Sequence, residues 1–448
     1  MNAGRRRFLA TLGAAGASAL TGCSSPSGSS GDRSGRTNER DGTATLTAAP
    51  ASPTPSGGTS GPTTAYRYTS LTPGGNRIVA GGLGIGAADP VDLPLESDPR
   101  WVLARPEPDG PGADWVVVSE SGTVSAFGVR RDGIRGLDVT PSTVEVGRPP
   151  VLRSTGRATL LTAPGEASTL THPLPLDESG LLYVRPDGTV ARERDGGRTS
   201  VDVAVLPDAR PRLVDEGRVA VLGGATDRYG HGALGDEVEA GRLVVLDVGD
   251  PELRVVGDVR LEGPVIEGLA PLVAGDDPAL HVTESDRTSG ARQVAYATDG
   301  SRLAAGPPVG RGLRWRHQLC IAPFAPDGVP ELAVVRTPHI GGTAEFYRRE
   351  DEGLAIAATE SGVSSHALGS RVLDGGLAAD VDGDGRPELV VPDDDRTSLV
   401  VVKRTAEGAS TTDRVPVGGR VTSNVHAVRA PTGLQVGVGR PGGLRVWA

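Results

Sequence analysis

Short apolar runs recur through most of this sequence and constrain its fold more than any other feature. From residue 66 onward, runs of Val, Leu, Ile and Ala alternate with turns rich in Gly, Pro and Asp, as in WVVVSES, RLVVLDV and SLVVVKR. Runs of this length between turn residues are typical of β-strands. No window of a dozen residues has apolar side chains at helical spacing. The sequence therefore predicts an all-β fold.

The strands recur in units of about 50 residues, a spacing typical of repeat architectures. Each unit has four apolar runs, and a tight turn joins the third to the fourth, as in YVRPDGTVARER and VAYATDGSRLAAG. The units begin near Arg100, Pro149, Arg210, Pro264, Arg314, Arg371 and Asn424. A repeated four-stranded antiparallel unit is typical of a β-propeller. We therefore predict a seven-bladed β-propeller over residues 66–448, with six or eight blades as alternatives because the first unit is the least regular.

The last unit is one strand short. The 25 residues from Asn424 onward provide three apolar runs, NVHAVRA, LQVGVGR and GLRVWA, where the other units have four. A blade with a missing strand would leave an open sheet edge, which proteins generally avoid. We predict that the N-terminal stretch TAYRYTSL, residues 64–71, supplies the missing outer strand and closes the ring.

The first 23 residues have the features of an export signal. Arginines at positions 5 to 7 precede a short apolar run rich in Ala and Gly, which is too short to span a bilayer as a helix. The run ends at Leu-Thr-Gly-Cys, residues 20–23. This order is similar to the signal of a lipoprotein exported by the twin-arginine route. The resemblance implies a signal peptide over residues 1–22, lipidation of Cys23, and anchoring of the protein by that lipid to the outer face of the cell membrane.

Composition limits the remaining interpretations. Residues 23–65 are mostly Ser, Gly, Thr and Pro, too poor in apolar side chains to offset the entropy of ordering, so we predict a disordered tether. The net charge of −10 argues against nucleic acid as a partner.

Cys320 is the second of two cysteines. With Cys23 lipidated, no intrachain disulfide can form, and packing or ions must stabilise the fold.

One turn, DVDGDGRPELVVPDDD at residues 380–395, is much richer in carboxylates than the others. Its alternating acidic residues are similar to those of a helical calcium-sensor loop. That loop needs a Glu at its twelfth position and a helix on each side. Here Val391 is the twelfth residue, and strand-like runs flank the turn. The pattern therefore excludes a helical sensor.

The turn instead resembles the calcium loop of FG-GAP or VCBS repeat propellers, in which alternating acidic residues are followed by a carboxylate at the ninth position. The resemblance implies a structural Ca²⁺ whose ligands are the side chains of Asp380, Asp382, Asp384 and Glu388 and the backbone carbonyl of Arg386. Calcium takes six to eight oxygen ligands, and a loop of this kind can offer most of them. An acidic turn without a bound metal is the alternative.

Polar residues collect in loops that we expect on the face opposite the acidic turn. In a four-stranded meander, the loops between the second and third strands lie on the same face as the connections between units. The longest of these insertions spans residues 223–241. We predict a site for an anionic or sugar-like ligand there, with the candidate residues Asp227, Arg228, His231, Arg336, His339 and His366. The alternative is structural, with Asp–Arg pairs bracing neighbouring blades and histidines capping loops.

No enzyme signature is present: the sequence lacks G-x-S-x-G, H-E-x-x-H and a phosphate-binding loop, and we assign no catalytic residue. Aromatic residues make up 3% of the chain, which weakens a lectin interpretation. We expect an extracellular binding or scaffolding module whose ligand is a glycan or a protein. The alternative is a carbohydrate-active lyase or hydrolase on the loop-rich face, with carboxylates drawn from Asp227, Asp236, Glu237 and Asp393.

Overall fold

The regular structure of the chain consists of β-strands. A computed structural model describes residues 65–79, 89–176, 180–249 and 251–448, and within these ranges no α-helix is present. The predicted all-β fold is therefore confirmed. The same residues contain no helix of the length and hydropathy needed to cross a membrane. The predicted signal peptide, Cys23 and the predicted tether up to residue 64 lie outside the described residues.

The N-terminal half contains two four-stranded sheets and several short strands. The first three strands are β1 (Tyr66–Tyr68), β2 (Ile78–Val79) and β3 (Pro90–Pro94). Sheet A contains β4 (Pro99–Pro106), β5 (Ala113–Ser119), β6 (Val124–Arg130) and β7 (Gly133–Leu137). Three short strands follow, β8 (Val139–Thr140), β9 (Val151–Arg153) and β10 (Ala158–Thr159). Sheet B contains β11 (Leu174–Pro175), β12 (Leu181–Val184), β13 (Thr189–Arg194) and β14 (Gly197–Asp202).

The rest of the chain forms five further meanders. Sheet C contains β15 (Arg212–Asp215), β16 (Arg218–Thr226), β17 (Glu239–Asp247) and β18 (Arg254–Arg260). Sheet D contains β19 (Val265–Ala274), β20 (Ala279–Asp286), β21 (Gly290–Tyr296) and β22 (Arg302–Ala305). Sheet E contains β23 (Arg316–Ala322), β24 (Glu331–Arg336), β25 (Gly342–Glu350) and β26 (Gly353–Val363). Sheet F contains β27 (Leu377–Ala379), β28 (Glu388–Pro392), β29 (Ser398–Arg404) and β30 (Ala409–Pro416). Sheet G contains β31 (Val425–Ala430), β32 (Gly433–Arg440) and β33 (Gly443–Trp447).

The last strand of each of sheets A to F is the most exposed one. In each sheet consecutive strands pair antiparallel, and the pair Ala240–Ile266 additionally joins sheet C to sheet D. Strands β4 and β23 are mostly buried, whereas most residues of β7, β14 and β30 are exposed or half-buried. Strands β5 and β28 are buried throughout. Consecutive four-stranded antiparallel meanders are the repeating unit of a β-propeller.

Apolar clusters join sheets B to G in chain order. One cluster unites sheets B, C and D, and separate clusters pack D on E, E on F, and F on G. A further cluster packs sheet G on sheet A, with Leu444 and Val446 against Val102 and Trp115. The last meander of the chain is therefore in contact with the first.

The strand that completes sheet G is not the predicted one. Strand β3 pairs antiparallel with β33, and Leu93 lies opposite Leu444 and is buried. The prediction for residues 64–71 was wrong, because Tyr66–Tyr68 pair instead with Val151–Arg153. Strand β3 suits an outer edge, since prolines at its two ends are tolerated in edge strands and every second side chain is exposed.

Residues 65–79, which we call the N-terminal segment, pass along the first strands of several sheets. The carbonyls of Pro73 and Gly74 accept hydrogen bonds of 3.0 Å from backbone N–H groups in the first strands of sheets C and D. The side chain of Asn76 bonds both backbone groups of Ile321 in sheet E at 2.9 Å. Strand β2 then pairs parallel with β27 of sheet F. The segment therefore ties together the inner strands of four successive sheets.

Candidate functional site

The acidic loop connects β27 to β28 at one end of sheet F. Asp380, Asp382 and Asp384 each place a carboxylate oxygen so that the three atoms lie within 4.8 Å of one another. The N–H groups of Gly383 and Gly385 donate to Asp380 at 2.8 and 3.1 Å. Both glycines have a positive φ, 81° and 88°, which other residues rarely adopt. This backbone gathers the three carboxylates at one point.

Glu388 completes the loop from the start of β28. Its Oε2 accepts a 3.0 Å hydrogen bond from the N–H of Val381, while its Oε1 is buried and has no hydrogen-bond partner. Burial raises the pKa of this carboxyl. A bound cation would satisfy such an oxygen, so the residues fit the predicted calcium ligands. Arg386, whose carbonyl is the fifth predicted ligand, directs its side chain to Asp384 at 2.8 Å.

An ammonium group lies among these carboxylates. The Nζ of Lys403, in β29, lies 2.7 Å from Asp384 and 3.5 Å from Glu388, and it also donates to Asp382. Burial acts against the charge, but the hydrogen bonds to Asp382 and Asp384 prevail and raise the pKa of Lys403. Lys403 is the only lysine in the sequence. A calcium ion in this loop would compete with the ammonium for the same oxygens.

Five rings from separate parts of the sequence meet where several loops converge, and we call them the histidine cluster. The ring centroids of His231 and His339 are 6.1 Å apart, and those of His339 and His366 are 5.9 Å apart. Trp315 stacks on His317 at 4.7 Å and meets His366 edge-on at 5.0 Å. The structure thus brings together all three histidines that the sequence proposed as ligand residues.

Burial keeps most of this cluster uncharged. It lowers the pKa of His366 to about 4 and that of His317 well below its ordinary value. It also lowers the pKa of His339. The Nδ1 of His231 lies 2.5 Å from a carboxylate oxygen of Glu267. The Nδ1 atoms of His339 and His366 are buried and have no hydrogen-bond partner in the structure.

The other proposed ligand residues have different surroundings. Arg336 forms an ion pair of 2.8 Å with Glu345, and 36% of its side chain is exposed. Arg228 donates to the backbone carbonyls of Leu261 and Pro264 at 2.6 and 2.5 Å. Arg228 therefore braces the connection between sheets C and D through backbone carbonyls. Asp227 is exposed on the same loop.

Two exposed aliphatic side chains flank the histidine cluster, and sequence reasoning missed them. Ile340 follows His339 and is 69% exposed, and Leu368, two residues after His366, is 66% exposed. These are the highest exposures among the large hydrophobic residues of the described ranges. The loops of the cluster are in contact, since the N–H of Gly369 donates to a carbonyl of the 223–241 insertion. A lone aliphatic residue in an otherwise polar loop is the only signal that the sequence offered.

A second buried polar cluster surrounds Asp374, which precedes sheet F. Its carboxylate accepts hydrogen bonds of 2.8 and 3.0 Å from Arg77 and of 3.0 Å from Arg210. Burial opposes its ionisation, yet the charges of Arg77, Arg210 and Arg212 hold the pKa of Asp374 well below its usual range. Burial lowers the pKa of Arg212 to about 9. Because Arg77 belongs to the N-terminal segment, Asp374 fixes that segment to the sheets.

Arginines hold two of the carboxylates that were considered for catalysis. Asp236 accepts a hydrogen bond from Arg371, and Asp393 accepts one of 2.6 Å from Arg414. Among the residues that the structure describes, the Asp380, Asp382 and Asp384 group is the one set of three or more His, Cys, Asp or Glu residues close enough to share a metal ion.

The strand order defines an all-β protein of the β-propeller class. Its loops carry a polar surface. No protein-family model matches the sequence, and no curated protein matches it. Among solved structures, the chain is similar to BamB from Moraxella catarrhalis, with 13% identity, a TM-score of 0.38, and coverage of 80% of this chain and 98% of that chain. So weak a likeness carries no argument about function, and the fold assignment depends on the strand pairing. The resemblance to FG-GAP or VCBS repeats and to twin-arginine lipoproteins stays a prediction.

Proposed function

We propose that this protein is an exported, lipid-anchored, seven-bladed β-propeller that acts as a binding module outside the cell. Each of sheets A to G corresponds to one blade, and β3 supplies the fourth strand of the last. The side chain of Asn424, the residue before the first strand of sheet G, bonds both backbone groups of Val102 in sheet A at 2.8 Å. The indole N–H of Trp115 donates to Gln435 at 2.8 Å. These bonds, together with the apolar cluster between the two sheets, support closure of the ring.

The exposure of Ile340 and Leu368 beside the histidine cluster is the observation that carries the binding function. Large apolar side chains in contacting loops are typical of interaction surfaces, and a rigid scaffold below them limits the entropy lost on binding. Glycan sites depend on aromatic rings for stacking, whereas these loop tips are aliphatic. The ligand is therefore a protein. His339 and Arg336 supply polar contacts at the rim of this surface.

Site-specific photo-crosslinking tests this surface. A photoreactive amino acid replaces Ile340 in intact cells, and the same replacement at Ile134, which is 49% exposed on β7, serves as the control. We expect a captured protein from position 340 and none from position 134. The captured protein is then purified and titrated against the wild type.

Binding measurements with variants decide the outcome. Ile340→Ala with Leu368→Ala should weaken binding at least tenfold, about 1.4 kcal/mol, and Ile134→Ala should leave it unchanged. Arg336→Ala with His339→Ala should weaken it as well. Equal affinity of the wild type and the Ile340, Leu368 variant would dismiss this surface. Binding to a glycan array that is lost in His339→Ala would favour a glycan ligand instead.

We further propose a structural Ca²⁺ in the acidic loop. The loop brings together four carboxylates, from Asp380, Asp382, Asp384 and Glu388, and the cationic groups of Lys403 and Arg386 contact them. Two negative charges remain after these two cations are counted, and a divalent ion would neutralise them. The buried Oε1 of Glu388, which accepts no hydrogen bond and has only the 3.5 Å ion-pair contact with Lys403, supports the same assignment.

Export and anchoring depend on the N-terminal resemblance. Metabolic labelling with a fatty acid should mark the wild type, and Cys23→Ala should remove the label and release the protein into the medium. Replacing Arg5, Arg6 and Arg7 with lysine should block export by the twin-arginine route. A Cys23→Ala variant that stays bound to the membrane fraction would contradict lipid anchoring.

A further inference from the structure

A small cavity lies between the N-terminal segment and residues of sheets C, D and E. Its volume is about 40 Å³, and its lining includes Gly75, Arg210, Arg212, Trp315, His317 and Gln318. One water needs roughly 10–15 Å³ of such space. The cavity therefore has room for a few waters or for one ion of similar size to a halide.

Four N–H groups of the lining residues are buried without a hydrogen-bond partner. They are Nε of Arg210, Nε of Arg212, Nε1 of Trp315 and Nε2 of His317. The Nδ1 of His317 lies 2.8 Å from the hydroxyl of Ser365, and Nε2 carries the proton when Nδ1 accepts from that hydroxyl. Buried donors without acceptors are rare in proteins. Four of them around one cavity indicate that an acceptor occupies it.

Charge points to the same kind of occupant. Arg77, Arg210 and Arg212 surround the carboxylate of Asp374, and Glu267 is the second carboxylate beside them, so one positive charge remains uncompensated in the interior. An uncompensated buried charge strongly destabilises the folded state. Water can accept hydrogen bonds from the guanidinium groups, but it cannot neutralise them.

The carboxylate that lines the cavity is already engaged. Glu267 contacts His231 through Oε1 and accepts a hydrogen bond from Ser285 through Oε2. Arg212 donates through Nη1 to the hydroxyl of Ser70 at 2.9 Å, and this hydroxyl carries no negative charge. Neither contact supplies an anion to the unpartnered Nε of Arg212.

Gly75 keeps the space beside Arg212 open. Its φ is +88°, and a Cβ built on it would lie 2.9 Å from Nε of Arg212. A side chain at this position would therefore fill the part of the cavity next to the unpartnered donor. Glycine satisfies both requirements, the left-handed backbone and the open space.

We infer that this cavity binds one small inorganic anion of the size of chloride, held by Nε of Arg212. The N–H groups of Arg210, Trp315 and His317 face this anion or the waters beside it. The anion neutralises part of the charge around Asp374. It also links the N-terminal segment to sheets C and E. This site is separate from the binding surface at Ile340 and Leu368, and neither depends on the other.

Bromide identifies the occupant directly, because it replaces chloride and scatters X-rays anomalously. Crystals of the full chain grown with sodium bromide should give an anomalous peak in the cavity, within hydrogen-bond distance of Nε of Arg212. A cavity that contains only ordered water under the same conditions, with no anomalous peak, overturns the inference. This measurement uses the wild type and does not depend on a variant that folds.

Thermal stability provides the second measurement. The wild type should have a higher Tm in sodium chloride than in sodium gluconate of equal concentration, because gluconate is too large for the cavity and binding stabilises the folded state. Arg212→Met should abolish this difference, and Arg260→Met, which alters an exposed arginine on β18, should preserve it. An equal chloride effect in the wild type and in Arg212→Met also overturns the inference.

Discussion

The ammonium nitrogen of Lys403 lies 2.7 Å from a carboxylate oxygen of Asp384, where the acidic loop would coordinate calcium. A lysine on β29 thus neutralises part of the group of carboxylates in the loop before β28, and Ca²⁺ would bind the same oxygens. Because the ammonium carries one charge and Ca²⁺ two, the two cations differ in how completely they neutralise the loop. Substitutions of Lys403 and of a loop carboxylate therefore distinguish neutralisation by the ammonium from neutralisation by Ca²⁺.

Chelation should lower the Tm of the wild type if the loop holds Ca²⁺. Asp382→Ala should abolish this sensitivity, because it removes one of the three clustered carboxylates. Lys403→Met should increase the stabilisation that added Ca²⁺ provides, since it removes the competing ammonium. The measurement is a thermal melt with chelator and with Ca²⁺ restored.

Asp327→Ala is the matched control for that experiment. Asp327 lies between β23 and β24, in the turn of sheet E that corresponds to the acidic loop, and pairs with Arg348 at 2.7 Å. The Asp327→Ala variant should show the same fall in Tm with chelator as the wild type. If chelator does not change the Tm of the wild type and Ca²⁺ raises the Tm of Lys403→Met only, the lysine is the resident cation and the calcium assignment is wrong.

Leu93→Ala should destabilise the protein by about 2–5 kcal/mol, the usual cost of truncating a buried leucine. Leu93 is buried in the strand that completes sheet G, opposite Leu444. Leu303→Ala makes the same chemical change at an exposed position on β22 and should cost about 0.5 kcal/mol or less. Urea unfolding measures both. Equal stabilities of the two variants would show that β3 does not hold the last sheet.

Asp374→Asn should destabilise the protein by about 3–5 kcal/mol, because it leaves buried guanidinium groups without their carboxylate. Asp258→Asn is the control, since Asp258 pairs with Arg242 and Arg260 near the surface and should contribute only about 0–1 kcal/mol. Chemical denaturation gives both values. Limited proteolysis should also cut the N-terminal segment faster in Asp374→Asn. Similar losses in the two variants would contradict a central role for Asp374.

Glu239→Gln should change how stability depends on pH. Burial, followed by the nearby charges of Glu267, Asp236 and Asp208, raises the pKa of Glu239 from 4.5 to about 9. The folded protein therefore binds a proton that the unfolded chain releases, so stability falls as the pH rises from about 4.5 to about 9. The glutamine variant should lose this decline and be more stable than the wild type at pH 8. Parallel pH profiles of the two proteins would show that Glu239 ionises normally.

Local sequence patterns were sufficient for the strands and for the acidic loop. The predicted unit starts at Arg100, Pro264 and Asn424 lie one residue from the first residues of β4, β19 and β31. A strand covered by sheets on both faces must be a continuous apolar run, and the turns between such strands need Gly, Pro or Asp. The carboxylates of Asp380, Asp382 and Asp384 converge because Gly383 and Gly385 fold the loop, which is also a local property.

Pairings between distant segments required the folded structure. The unit predicted to start at Pro149 has its first apolar run in β9, which pairs with β1, and β3 takes the edge position expected of residues 64–71. Arg77 and Asp374 are 297 residues apart, and the rings of the histidine cluster come from separate loops. From the sequence alone, many segments could pair equally well with a short strand, and many residues could pair equally well with a charged side chain. The packing of the sheets selects one of them, because only that partner fills the adjacent space and leaves the fewest buried groups unsatisfied.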